Sequence, residues 1–291
     1  MKTATLIMFL IIPMLVFSQG GSEIFLLDMQ VKGKTVTLSN PVNITNHKGY
    51  DNQPFFSPKE SILYFTSDRD TANTDIKIYN YQTGITSFLT NTPENEYSAT
   101  VTPDGKFISC IIARKSPFAQ DLGKYPVKGG EPVILINNLV VGYHAWIDDN
   151  RLLLFVLDGN GHNSLHYYNL LTKEDKVIAQ NPGRTLRKIP GQDAMSFVDK
   201  TDSLSWKIKK LDITTMQISD IGPTLLRKED MVWTSNGIII MSDGTSLFSL
   251  QTGSNEGWQK INFPNNNSSM QGITRLAVNA DNSKLAMVVR E

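Results

Sequence analysis

The sequence predicts an all-β fold, a six-bladed β-propeller with four-stranded antiparallel blades, and three observations carry that expectation. Anchor residues Phe56, Val101, Trp146, Ile189, Trp233 and Val278 recur at spacings of 45, 45, 43, 44 and 45 residues. The anchors lead into turn-forming stretches, and each turn runs into a short, near-continuous apolar segment. A period of about 40–45 residues suits one four-stranded blade.

The N-terminus stands outside this repeat. Lys2 supplies a short positive region, Leu6 to Phe17 is apolar apart from Pro13, and Val16 and Ser18 occupy the small-residue positions of a cleavage site. Residues 1–18 therefore read as a secretory signal peptide cut after Ser18, and residues 19–291 as a single domain. The apolar run is short for a membrane span. A secreted or periplasmic protein without membrane insertion is expected.

The mature chain opens on Glu23-Ile24-Phe25-Leu26-Leu27-Asp28, turns at Lys32-Gly33-Lys34 and continues as Thr35-Val36-Thr37-Leu38. This resembles the outer pair of a blade lacking its inner pair. The chain stops just after the second strand of the last repeat. The two halves complement each other, so a composite blade from both termini is expected to close the ring and leave no open edge between them.

The turns are clearest at Ser57-Pro58-Lys59-Glu60, Thr102-Pro103-Asp104-Gly105, Ile147-Asp148-Asp149-Asn150, Thr234-Ser235-Asn236-Gly237 and Asn279-Ala280-Asp281-Asn282. Their Pro, Asp, Asn and Gly residues favour tight hairpins. The apolar runs are Ile62–Phe65, Phe107–Ile112, Leu152–Leu157, Ile238–Met241 and Leu285–Val289. Such runs read as strands covered on both faces. The fourth repeat, Lys188 to Asp193 followed by Ala194–Val198, diverges in letters but keeps the spacing. Outer hairpins recur at Ile78–Gly84, Tyr167–Thr172, Lys210–Thr215 and Phe248–Gly253.

The stretch Tyr50-Asp51-Asn52-Gln53-Pro54-Phe55-Phe56-Ser57-Pro58, with Ile62-Leu63-Tyr64-Phe65-Thr66-Ser67-Asp68-Arg69 and the turn Thr102-Pro103-Asp104-Gly105-Lys106, resembles the repeats of TolB-type propellers. The likeness spans nearly the whole mature chain; later blades keep the period and lose the motif letters. TolB has an additional N-terminal domain, which is not expected here. The resemblance implies a six-bladed ring that often serves as a protein-binding platform.

Aligning the innermost strands on their anchors gives two rings of positions. Asp51, Glu96, Val141, Arg184, Lys228 and Ile273 form one; Gln53, Ser98, Tyr143, Leu186, Asp230 and Arg275 form the other, two residues further on. Alternation along a strand places both on one face, toward a central channel. Asp51, Gln53, Glu96, Tyr143, Arg184, Asp230 and Arg275 are the candidate ligand-binding residues. Asp51, Glu96 and Asp230 are the carboxylates that could converge on a calcium ion, which Arg184, Lys228 and Arg275 would oppose.

Of four histidines, His47, His144, His162 and His166, the last two fall in a strand–turn–strand region, which removes the helical spacing of a metal pair. His144 stands where the first repeat has Pro54. It reads either as a packed core residue or as a general base. Cys110, the single cysteine, sits in an apolar run as a buried small hydrophobe and leaves no intramolecular disulfide. Asn43-Ile44-Thr45 matches a glycosylation acceptor.

The formal net charge is zero, which gives no reason to expect nucleic acid as a partner. No nucleophile elbow, helical zinc motif, phosphate loop or dinucleotide fingerprint is present. The sequence thus points to a monomeric, non-catalytic binding module, without a cofactor, for a protein, peptide or glycan. The alternative is a calcium-dependent lactonase-like hydrolase or lyase with Asp51, Glu96 and Asp230 on the ion and His144 as base.

Overall fold

The computed structural model describes residues 20–46, 48–68, 73–115, 117–159, 161–263 and 270–291. The expected signal peptide and its cut after Ser18 lie outside the described residues, as do His47 and Arg69.

Among the described residues every regular element is a β-strand. The chain opens on β1 (Ser22–Lys32) and β2 (Thr35–Asn43). Next come β3 (Tyr50–Phe56), β4 (Ile62–Asp68), β5 (Asp75–Asn80) and β6 (Ile85–Phe88), then β7 (Asn95–Val101), β8 (Phe107–Lys115), β9 (Phe118–Pro126) and β10 (Val133–Ile136). They are followed by β11 (Val141–Trp146), β12 (Arg151–Val156), β13 (Ser164–Asn169) and β14 (Asp175–Gln180), and by β15 (Pro182–Lys188), β16 (Ala194–Asp199), β17 (Lys207–Asp212) and β18 (Ile218–Pro223). The last are β19 (Met231–Trp233), β20 (Ile238–Ser242), β21 (Leu247–Gln251), β22 (Gln259–Ile261), β23 (Ile273–Val278) and β24 (Lys284–Arg290).

From β3 onward each successive group of four pairs in chain order as an antiparallel meander. The anchors Phe56, Val101, Trp146, Trp233 and Val278 end the first strands of their groups, and Ile189 follows β15 directly. The terminal strands meet: β1 pairs antiparallel with β24 from Ser22↔Arg290 to Asp28↔Lys284, and β2 pairs with β1. The order β23-β24-β1-β2 therefore combines both ends of the chain. A single parallel pair, Ser22↔Tyr50, links it to β3.

The second strand of each group is covered on both faces. Every position of β12 after Arg151 is buried, as is the whole of β20. Even the weaker Ala194–Val198 run is buried throughout. Among the described residues these strands fill six apolar clusters, each made by two groups packed face to face. Leu153, Phe155 and Leu165 meet Leu186, Met195 and Phe197; Ile24 and Val288 meet Leu63 and Phe65. Cys110 lies fully buried in the cluster that includes Tyr64, Ile76 and Ile108. Fully burying a side chain of this size contributes about 1.5–3 kcal/mol, so the second strands supply much of the cohesion between groups.

Asx turns shape the outer hairpins. Asn80 Oδ1 accepts from the amides of Gln82 (2.9 Å) and Thr83 (3.1 Å), and Asn169 Oδ1 does the same for Leu171 and Thr172. The polar side chain satisfies turn amides that the ladder leaves unpaired.

Candidate functional site

The first strands β3, β7, β11, β15, β19 and β23 line one common cavity. Each contributes the residues two and three positions before its anchor: Gln53 and Pro54, Ser98 and Ala99, Tyr143 and His144, Leu186 and Arg187, Asp230 and Met231, Arg275 and Leu276. The second ring of the sequence alignment is thus brought together around this channel.

The first ring is not, and this corrects the two-ring expectation. Asp51, Glu96 and Val141 are fully buried within the sheets, and of this ring only Arg184 reaches the channel cavity. The cause is a break in pairing register. It falls between Asn52 and Phe55 in β3, Tyr97 and Thr100 in β7, Val141 and Tyr143 in β11, Pro182 and Leu186 in β15, and Ile273 and Arg275 in β23. A bulge inserts a residue and reverses which face later side chains take. Gln53 and Ser98 carry two of these bulges in left-handed backbone, at φ 56° and 58°. Strict alternation across that point assigns the wrong face.

Asp51 accepts from Ser67 Oγ at 2.6 Å. Glu96 accepts from Thr92 Oγ1 (2.6 Å) and the Tyr125 hydroxyl (3.0 Å). Burial raises the Glu96 pKa above the usual carboxylate range, although these hydrogen bonds pull the other way. Asp230 is held by Arg184 in a two-pronged pair, with Arg275 Nη1 at 3.6 Å. Asp51, Glu96 and Asp230 therefore sit in three separate environments. Among the described residues no three His, Cys, Asp or Glu side chains gather as a metal-holding group. Calcium coordination by this trio does not fit the geometry.

The charged part of the channel comes from β15, β19 and β23. Burial works against the Arg184 charge, but Asp230, Tyr143 and Glu229 outweigh it and raise its pKa. Arg275 donates from Nη2 to the Tyr143 hydroxyl at 2.9 Å and lies over that ring, 5.2 Å from its centre. Tyr143 in turn meets Phe155 edge to face. Arg187, which neither ring of the strand alignment contains, lines the same cavity. Its Nη1 donates to the Leu186 carbonyl at 3.3 Å, and it makes no salt bridge to a carboxylate among the described residues. Burial lowers its pKa. The cavity thus holds three guanidinium groups against one carboxylate. No residue-type signal announces Arg187; the bulge in β15 is what turns it inward.

On the opposite arc the groups are neutral. Gln53 Oε1 accepts from Thr66 Oγ1 (2.9 Å) and from the Ser98 amide (2.7 Å), tying β3 to β7. His144 is 7 % exposed, and burial depresses its pKa to about 3. Its Nε2 lies 2.7 Å from Ser109 Oγ, which donates to the Thr100 carbonyl and accepts from Trp146 Nε1. A hydroxyl has one proton to give, so this network places the imidazole proton on Nε2. Nδ1 is left as a buried acceptor without a partner, and Ser98 Oγ is likewise unpartnered. The same clasp recurs where Trp233 Nε1 donates to Ser196 Oγ at 2.8 Å.

The floor of the channel is narrow, about 50 Å³. A wider cavity of about 520 Å³, the mouth, shares Tyr143, Arg184 and Arg275 with it and adds Tyr50, Asn52 and Arg290. Burial pushes the Tyr50 hydroxyl pKa up to about 12.

Fold and channel together define a β-propeller. No known family model and no curated protein matches the chain. Among solved structures, a putative TolB from Agrobacterium tumefaciens is similar at 11 % identity and TM-score 0.67, covering 94 % of this chain and 99 % of that one. TolB from Acinetobacter baumannii gives 12 % and 0.58 over 93 % of this chain, which spans only 64 % of that protein's length. An oligogalacturonate lyase in complex with manganese gives 12 % and 0.58, covering 88 % of this chain and 83 % of the lyase. At such identities the likeness is one of fold.

Proposed function

We propose that this chain is a six-bladed propeller, with its ring closed by the composite group β23-β24-β1-β2, and that it acts as a non-catalytic binding module. It works as a monomer, secreted or in the periplasm, and takes a protein, peptide or glycan through the channel mouth. The contribution of one residue pair from each of six first strands to a single cavity supports the blade count. The β1–β24 ladder supports the closure.

One observation carries the binding reading: a wide cavity walled by Tyr50, Tyr143, Arg184, Arg275 and Arg290 shares three of those residues with the narrow floor. Aromatic and guanidinium groups of this kind dominate recognition surfaces. The acid–base candidates below are committed elsewhere. Asp230 is clamped by arginines, and a histidine with a pKa near 3 is a weak base at neutral pH. The hydrolase or lyase alternative has no comparable support from the geometry.

Capture from an envelope extract tests this, comparing the mature wild type with Arg290→Ala and Arg275→Ala. A partner retained by wild type and lost from both variants is expected. Capture that ignores both substitutions would overturn the reading.

A further inference from the structure

Three residues that line the narrow floor carry unmet demands: Arg187, whose guanidinium makes no salt bridge among the described residues, Ser98, whose buried Oγ has no partner, and His144, whose buried Nδ1 has none on a side chain more than nine-tenths buried. A half-buried guanidinium without a direct salt bridge, Asp230 acting on it only through space, and buried polar atoms with no hydrogen bond each cost free energy that a matching ligand would recover. Their requirements differ. Arg187 asks for an acceptor and favours a negative one. Ser98 can donate or accept. His144 Nδ1, with the proton held on Nε2, asks for a donor.

We propose that the floor takes the C-terminal carboxylate of an extended peptide that enters through the mouth. This rests on the binding reading above and names its ligand. A chain terminus offers both features in one small group: the carboxylate accepts from Arg187 and Ser98, and the neighbouring N–H donates to His144 Nδ1. Size favours it as well. A floor of about 50 Å³ has room for about four water-sized groups. That suits a carboxylate and the atoms beside it, whereas a sugar acid brings a whole ring. The charge balance agrees, since three guanidinium groups line the floor cavity with one carboxylate, and Glu229 beside Arg184 still leaves one guanidinium in excess. In the mouth Arg290 adds a further cation on the approach, where Arg groups steer anions in.

The test uses the mature protein and four probes, followed by fluorescence anisotropy or calorimetry: a Gly/Ser hexapeptide with a free C-terminus, its C-terminal amide, the amide carrying one internal Glu, and trigalacturonate. The free acid is expected to bind at least tenfold more tightly than the amide. Arg187→Gln should abolish that difference. Arg290→Gln, at an exposed position, should weaken binding by a smaller factor and flatten its salt dependence. Equal binding of acid and amide overturns the proposal, as does a preference for the internal Glu or for trigalacturonate. The acid–amide comparison on wild type needs no variant, so it stands even if Arg187→Gln fails to fold. A partner captured through the mouth but indifferent to its C-terminal carboxylate would sink this inference and leave the binding module intact.

Discussion

The two arcs of the channel are built from the same repeat and do opposite things. On the side of β3, β7 and β11 the lining is neutral and tied inward: Gln53 bridges to Thr66 and Ser98, and His144 leans on Ser109. On the side of β15, β19 and β23 it is charged, with Arg184, Arg187, Asp230 and Arg275. The difference teaches that the repeat specifies where a side chain stands, while the identity of each pair decides whether it is tied into the sheets or stands as a charge in the channel.

Breaking the charged arc should have the largest effect. Asp230→Ala leaves Arg184 and Arg275 without their common anion. Removing one partner of a largely buried pair costs about 3–5 kcal/mol; with these side chains 14–30 % exposed, about 3 kcal/mol is expected in urea denaturation. If the loss is below about 1 kcal/mol, the pair is not holding the arc together.

The neutral arc should reveal itself through pH. The His144 pKa falls from its ordinary 6.5 to about 3 in the fold. Between those values the unfolded chain binds the proton and the folded chain does not, so acid favours unfolding. Stability should therefore fall as pH drops from about 6.5 toward 3. His144→Gln keeps a donor for Ser109 and should flatten that slope, measured by denaturation at pH 4 and pH 7. An unchanged slope would place the acid sensitivity elsewhere.

Gln53→Ala removes the acceptor shared by Thr66 and Ser98 and should cost about 1–2 kcal/mol. The smallest effect belongs to Ser98→Gly. Ser98 adopts φ 58° and its hydroxyl has no partner, so glycine should stabilise the fold by about 0.5–1 kcal/mol. If Ser98 also meets the ligand carboxylate, the same variant binds the free-acid peptide less tightly. A gain in stability with unchanged affinity would remove Ser98 from the floor.

Much of the architecture was legible because burial writes itself in composition. The Leu152–Leu157 and Ile238–Met241 runs announce strands covered on both faces, and even divergent Ala194–Val198 behaves as its spacing requires. The all-β class and the four-stranded groups follow from those runs. The channel was half legible. The positions of Gln53, Tyr143, Asp230 and Arg275 follow from counting back from the anchors. Asp51 and Glu96 were misplaced because counting two further residues crosses a bulge. Gln53 and Ser98 take left-handed backbone without being glycine, so their residue types gave no warning. Arg187 was overlooked for the same reason, since alternation assigns it to the wrong face.

The pairing of β1 with β24 has a consequence in time. Asp28 and Lys284 are 256 residues apart in the chain, and the first strand made must wait for the last before their shared sheet can form. Closing so long a loop carries an entropic cost that grows slowly with length but delays the step, because non-local pairings form late. Until then β1 has an unpaired edge open to other chains. The other groups of strands can assemble from neighbours in sequence as they emerge, whereas this one sets the moment at which the molecule becomes safe from aggregation.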